Sequence, residues 1–207
     1  MDFDKAFAAC PVISILRGID RHEVDDVSDA LVNAGIRIIE VPLNGPGALA
    51  SVERLAHRYG ESVLVGAGTV LTPEAVIDVR DAGGRLIVTP HVAHDVIEEA
   101  KAEDLICIPG CATPTEGFTA LAAGADALKL FPGEAIPPAI VKAWRAVFPK
   151  DARLLVVGGV GLDNIAAYRA AGADGFGIGG ALYAPGRPAA DIATRAHHLV
   201  AALHAPT

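Results

Sequence analysis

Short runs of branched apolar residues alternate along this chain with longer amphipathic stretches. The runs fall at 12–16, 36–43, 63–65, 86–88, 105–108, 127–131, 154–157 and 175–178, each bounded by Gly, Pro or a polar residue. Runs of this length and branching predict eight strands. Between them, Val24, Val27 and Leu31 recur at helical spacing with acids on the other face, and Phe118, Leu121 and Ala122 form a second apolar stripe. Thr72-Pro73-Glu74 and Thr113-Pro114-Thr115-Glu116 are helix starts: a hydroxyl to cap the first turn, then a proline whose missing N–H costs nothing there. Gly35, Gly60, Gly83, Gly124 and Gly172 read as helix stops.

The stops are spaced by 25 residues (Gly35 to Gly60), 23 (Gly60 to Gly83) and 48 (Gly124 to Gly172, two units of 24), so the repeating unit is one strand plus one helix. Near-continuous apolar strands must be covered on both faces, which places helices outside a parallel sheet. Eight such units predict a single (β/α)8 barrel domain over 1–207, short against a usual size of about 250 residues. An open doubly wound sheet is the competing architecture.

Composition narrows the functional classes. Of the 207 residues, 52% are hydrophobic and 20% charged, with a mean hydropathy of +0.40, so the chain is expected to fold. A net charge of -8 without a basic cluster argues against nucleic acid. No apolar run approaches the ~20 residues of a membrane helix. The opening Met1-Asp2-Phe3-Asp4-Lys5 has no secretory pattern, and Cys10, Cys107 and Cys111 cannot all pair, so a reducing cytoplasm is expected. Cys107 and Cys111 lack partner ligands, as do His91 and His94, so no metal is expected. His197 and His198 read as a solvated helix face.

In a barrel of this class the chemistry sits at the C-terminal ends of the strands. Polar residues there include Arg17, Glu40, Asn44, Thr69, Thr89, His91, Lys129 and Asn164. Lys129 interrupts an apolar strand; facing the barrel, it would be desolvated and its amine available for Schiff-base chemistry, whereas facing outward it would reach the rim or an acid. Glu40 likewise needs a partner or a task, and the two together make either a buried ion pair or a nucleophile and its proton shuttle. Arg17 can grip a carboxylate or orient Glu40. Thr69 can bind a carboxylate or cap a helix. Val157-Gly158-Gly159-Val160-Gly161 and Gly175-Phe176-Gly177-Ile178-Gly179-Gly180 fall where such barrels bind phosphate through backbone N–H groups, although close packing also calls for glycine.

In order along the chain, Ile15-Leu16-Arg17-Gly18, Glu40-Val41-Pro42-Leu43-Asn44, Gly66-Ala67-Gly68-Thr69-Val70-Leu71, Val88-Thr89-Pro90, Pro109-Gly110-Cys111-Ala112-Thr113, Leu128-Lys129-Leu130-Phe131-Pro132 and Val157-Gly158-Gly159-Val160 resemble the KDPG/KHG aldolase family over essentially the whole length. The resemblance implies a homotrimeric, metal- and cofactor-free class I aldolase acting on phosphorylated 2-keto-3-deoxy sugar acids. By it, Lys129 forms the Schiff base and Glu40 is the general acid/base. Arg17 and Thr69 hold the pyruvoyl carboxylate or orient Glu40, and Asn44 and Pro90 join the substrate contacts. Gly158, Gly159, Gly179 and Gly180 map to the phosphate site, with Gly180 standing where relatives often carry serine. Gluconate-specific members usually have an arginine at the position of Asn44 and none at that of Arg17; the reverse here is the pattern of the galactonate branch. A phosphosugar isomerase or epimerase on the same barrel, and a non-catalytic binder of phosphorylated metabolites, are the alternatives.

Overall fold

A computed structural model describes residues 1–204. Its strands run β1 Val12–Ile15, β2 Ile38–Pro42, β3 Leu64–Gly68, β4 Leu86–Val88, β5 Ile106–Ile108, β6 Gly110–Cys111, β7 Leu128–Leu130, β8 Leu154–Val157 and β9 Gly175–Ile178, all paired in parallel. The order β5-β4-β3-β2-β1-β9-β8-β7-β6 closes into a ring because β5 and β6 are one stave interrupted at Pro109. Proline has no N–H to give a ladder, but its carbonyl accepts from Lys129 at 2.9 Å, so the break costs little pairing. The eight expected strands are therefore eight staves.

The helices are α1 Phe3–Ala9, α2 Val24–Asn33, α3 Ala48–Tyr59, α4 Pro73–Asp81, α5 His94–Ala102, α6 Pro114–Ala122, α7 Pro138–Arg145, α8 Ile165–Ala170 and α9 Ala189–His204. Thr72 and Thr113 cap α4 and α6 as expected, Thr113 in a reciprocal capping box with Glu116. Gly35, Gly60, Gly83, Gly124 and Gly172 all have positive φ, the conformation that lets the chain leave a helix. None of the helices among the described residues is long and apolar enough to cross a membrane.

One sequence expectation needs correction. The stripe Phe118, Leu121 and Ala122 is not the buried face of α6: Gly117 and Ala120 are its buried residues, Leu121 packs only partly against the core, and Phe118 is 45% exposed. A Cβ at Gly117 would meet Phe148 at 2.6 Å, so close approach, not bulk, decides which face packs inward. The strand expected at 175–178 is β9, with Gly179 and Gly180 following it.

Successive side chains on a strand alternate faces. Ile13, Ile38, Leu64, Leu86, Ile108, Ala127 and Leu155 fill the lower barrel as one cluster, separate from the larger layer between staves and helices. α1 closes this lower end, a helix the strand-helix repeat did not reveal. Asp2 caps it by accepting from the Asp4 N–H at 2.9 Å, and Phe3 and Ala6 join the interior cluster. Gly175 makes room for Phe7, whose ring would lie 2.6 Å from any Cβ there.

Phe3 is 4% exposed, so Phe3→Ala leaves a cavity at the sealed end, at a cost of about 3–5 kcal/mol. Chemical denaturation should show that loss as a lower midpoint with little change in slope; an unaltered midpoint would mean α1 does not close the core.

Candidate active site

One residue pair further up each stave, the inward positions change character. Above Ile38 comes Glu40, above Ala127 comes Lys129, and above Ile13 and Ile15 comes Arg17. β2 and β7 lie on opposite sides of the eight-stave ring, so Glu40 and Lys129 project toward the axis from facing walls. They are 2% and 6% exposed, and among the described residues they are the buried side chains that carry charge. Burial pushes the Glu40 carboxyl above its ordinary range, against the opposing pull of Lys129 and Arg17. Burial likewise lowers the Lys129 ammonium; Glu40 opposes this and Arg17 adds to it. Glu40 Oε2 is buried with no hydrogen-bond partner, an expensive condition for an oxygen unless a ligand or water serves it.

Space for that carboxylate comes from Gly68. A Cβ on Gly68 would lie 1.4 Å from Glu40 Oε2, an impossible contact, so β3 must end in glycine for Glu40 to reach the axis. The next residue, Thr69, has φ 56°, a left-handed conformation strained for a β-branched side chain, at the rim beside this contact.

Lys129 opens into a cavity of about 480 Å³ at the C-terminal mouth, lined also by Arg17, Phe131, Glu134, Gly158, Gly159, Gly179 and Gly180. The Lys129 Nζ stands 4.7 Å from the centre of the Phe131 ring. Arg17 Nη1 donates to Asn44 Oδ1 at 3.0 Å, joining the ends of β1 and β2. Behind it the Tyr183 hydroxyl donates to Glu23 at 2.5 Å, tying the loop after β1 to the loop after β9.

The glycine loops differ in why they are glycine. Gly158 and Gly159 have φ of 105° and 65°, and side chains there would strike Glu134. Gly179 would meet only ordinary contacts and Gly180 nothing at all, so packing does not require glycine at either. Among the described residues no backbone carbonyl takes the N–H of Gly180 or Ala181. Arg187 holds this turn, donating to the carbonyls of Gly180 at 3.0 Å and Leu182 at 2.6 Å. Free N–H groups on a fixed turn suit an anion.

The structure thus brings Lys129, Arg17, Gly158, Gly159, Gly179 and Gly180 around one cavity, with Asn44 reaching it through Arg17; Glu40 is buried on the stave opposite Lys129 and does not line the cavity wall. Thr69 and Pro90 stand at neighbouring strand ends outside the cavity wall, and Asn164 turns away, its side chain bonding Gly159 O and the Gly161 N–H. Gly68 makes room for Glu40, Phe131 and Glu134 line the cavity, and none of the three stands out in the sequence as a site residue. The inward parity of β3 and β7 points to the first two, Gly68 two positions beyond Gly66 and Phe131 two beyond Lys129. Glu134 lies in a turn, where periodicity carries no information. The three cysteines are buried and free, with burial raising Cys107 and Cys111 to about 12. No group of three metal-ligating side chains occurs among the described residues.

Comparison with known proteins places these features in context. The family model for KDPG and KHG aldolase matches residues 3–191. A 2-dehydro-3-deoxy-6-phosphogalactonate aldolase of Escherichia coli is 43% identical over 93% of this chain and 94% of its own. A chain of a cube-shaped cage designed by fusing symmetric oligomeric domains has a TM-score of 0.91 and 43% identity, covering 93% of this chain and 71% of that one. A KDPG aldolase from Legionella pneumophila, solved with pyruvate captured as a covalent carbinolamine, has a TM-score of 0.84 and 26% identity over 94% and 96% of the two chains.

The electrostatics can be tested directly. Followed by NMR of isotope-labelled lysine, Lys129 should titrate below the ordinary lysine range. Arg17→Gln removes a repelling cation and should move that titration up; Glu40→Gln removes a stabilising anion and should move it down. A titration unmoved by both changes would show that the three groups do not share one chamber.

Proposed function

Because this chain belongs to the KDPG and KHG aldolase family, we propose that it is a class I aldolase cleaving 2-dehydro-3-deoxy-6-phosphogalactonate to pyruvate and D-glyceraldehyde 3-phosphate through a Schiff base on Lys129. The observation that carries this reading is the pair of buried charges on opposite staves: an amine with depressed basicity opening into the cavity, and a carboxyl with an unserved oxygen across from it. A structural ion pair would place the two groups in contact; among the described residues no ion pair joins them.

The reaction follows from these parts. Neutral Lys129 adds its amine to the C2 ketone of the substrate, and Glu40, directly or through a water, supplies the proton with which the carbinolamine loses water. The protonated imine then draws electrons from C3. Loss of the C4 hydroxyl proton to Glu40 breaks the C3–C4 bond and leaves an aldehyde and an enamine of pyruvate. Reprotonation at C3 and hydrolysis of the imine free pyruvate and restore Lys129. A carboxyl whose proton affinity is raised by burial suits both directions of this traffic. The covalent lysine adduct supplies the electron sink, so the family's chemistry requires no metal or organic cofactor; the pyruvate carbinolamine in the Legionella enzyme supports this.

Arg17, steadied by Asn44, takes the substrate carboxylate together with Thr69, and Pro90 shapes the neighbouring rim. The phosphate lies on the amides around Gly158, Gly159, Gly179 and Gly180. Arg17, just past the end of β1, stands in place of a cation at position 44, the arrangement that resembles the galactonate branch, and this resemblance is the ground for choosing the galactonate epimer. The galactonate aldolase of E. coli, at 43% identity, supports the same choice.

We assign a homotrimer to the working enzyme. Phe118, Ile140 and Val147, 45%, 41% and 58% exposed, lie on α6, α7 and the segment after α7 around the stacked Phe118 and Phe148 rings. Large apolar side chains in one such region favour burial against another copy, and the cage relative is built from symmetric oligomeric domains.

Borohydride added with pyruvate should attach one reduced pyruvyl group at Lys129, detected by peptide mass, and the galactonate substrate should release glyceraldehyde 3-phosphate with a higher kcat/KM than its gluconate epimer. An unmodified Lys129 would overturn the mechanism; equal or reversed kcat/KM would overturn the epimer assignment alone. Sedimentation should give three times the chain mass, and Val147→Asp should lower it; a monomeric parent protein would remove this assembly.

A further inference from the structure

Glu134 is a cavity-lining charge that the reaction above leaves without a task. It projects from the turn Gly133–Ala135 that follows β7. That turn is held in place: the Tyr168 hydroxyl donates to Gly133 O at 3.1 Å, and the N–H groups of Ala135 and Ile136 close onto Pro132 and Gly133. The side chain lies across the Gly158–Gly159 pair. A Cβ at Gly158 would stand 2.5 Å from Glu134 Oε2, and one at Gly159 would stand 2.8 Å from Glu134 Cγ. A side chain at either position would displace this exposed carboxylate, and both glycines also hold positive φ. Among the described residues, no hydrogen bond or ion pair to the carboxylate accompanies this placement.

An ionised carboxylate can only accept hydrogen bonds, and next to a phosphate it repels. The position is thus unfavourable for a bare phosphorylated chain and favourable for one that offers a hydroxyl beside its phosphate. In the proposed substrate that hydroxyl is on C5, next to the phosphorylated C6, while the C4 hydroxyl lies toward Lys129. Building on the aldolase reading, we propose that Glu134 accepts a hydrogen bond from the C5 hydroxyl of the substrate, the C2 hydroxyl of glyceraldehyde 3-phosphate. It thereby selects phosphorylated aldehydes that carry a neighbouring hydroxyl and rejects those that lack it. Glu134 contacts the substrate for recognition and moves no proton.

The test runs the enzyme in the condensation direction with pyruvate, comparing glyceraldehyde 3-phosphate with 3-oxopropyl phosphate, the same aldehyde without the hydroxyl. The unaltered protein should prefer the hydroxylated acceptor by about tenfold or more in kcat/KM, the scale of one charge-assisted hydrogen bond. Glu134→Ala should bring the ratio to within about twofold, partly by improving the acceptor that lacks the hydroxyl. Glu134→Gln, which keeps the volume and removes the charge, should lower the ratio as well, so the result does not hang on one variant folding. A ratio equal in the parent and both variants, with pyruvate trapping by the parent protein intact, overturns the proposal alone. A parent protein that neither traps pyruvate nor condenses either aldehyde overturns the aldolase reading and this proposal with it.

Discussion

The organisation of this barrel depends on holding Glu40 and Lys129 apart in a buried enclosure. Opposite charges buried without contact are unstable as charges: each loses hydration, and the attraction between them at a distance does not restore it. The result is a carboxyl whose proton affinity burial raises and an ammonium whose proton affinity burial lowers. Neutral amine and protonated carboxyl are the forms that begin carbinolamine chemistry, so the cost of burial and the reactivity are one physical fact. Arg17 biases the pair in a definite direction, since its cation favours the carboxylate while disfavouring the ammonium.

The rest of the structure serves that separation. Eight staves put β2 opposite β7, and the lower barrel is filled with Ile, Leu and Phe so that water reaches the pair only from the mouth. Glycine does at the upper tier what large side chains do below. Gly68 yields its side-chain space to the Glu40 carboxylate, and Gly177 yields to Val157, whose side chain a Cβ would meet at 2.7 Å. The same economy extends to recognition. With stop glycines 23 to 25 residues apart, each unit is consumed by one strand, one helix and their turns. Specificity then falls to residues at strand ends, Arg17 with Asn44 on one side and Glu134 on the other.

Much of this was legible in the sequence because the repeat is strict and the strands are nearly free of charge. Eight apolar runs separated by capped, glycine-terminated helices leave little choice of fold, and Lys129 and Glu40 are conspicuous against Ile, Leu and Val. The misreadings share a physical origin. A hydrophobic pattern puts Phe118 on the apolar face of α6, whereas the helix packs through Gly117 and Ala120, residues too small to register in such a pattern. The same blindness to small residues hid Gly68, whose contribution is the volume it does not occupy. α1 was passed over because a seven-residue helix before the first strand lies outside the repeat. Glu134 sits in a turn, and its meaning depends on a contact with Gly158 and Gly159 more than twenty residues away.

The net charge of -8 makes an anionic substrate an electrostatic problem that the fold must solve locally. Long-range attraction cannot help, because at physiological salt the field of the whole molecule fades over about 8 Å. What remains at the mouth is one arginine, one lysine of reduced basicity and a set of backbone dipoles, with the carboxylates of Glu134 and Asp163 set among them. Dipoles suit this role better than added cations would. A further lysine or arginine near the chamber would strengthen phosphate binding, but it would also act on Glu40 and Lys129, holding the carboxyl ionised and lowering the amine further. Backbone N–H groups attract the phosphate only at short range and leave the distant pair undisturbed. On the proposed reading, the glycine loops bind the phosphorylated acid without disturbing the proton balance between Glu40 and Lys129.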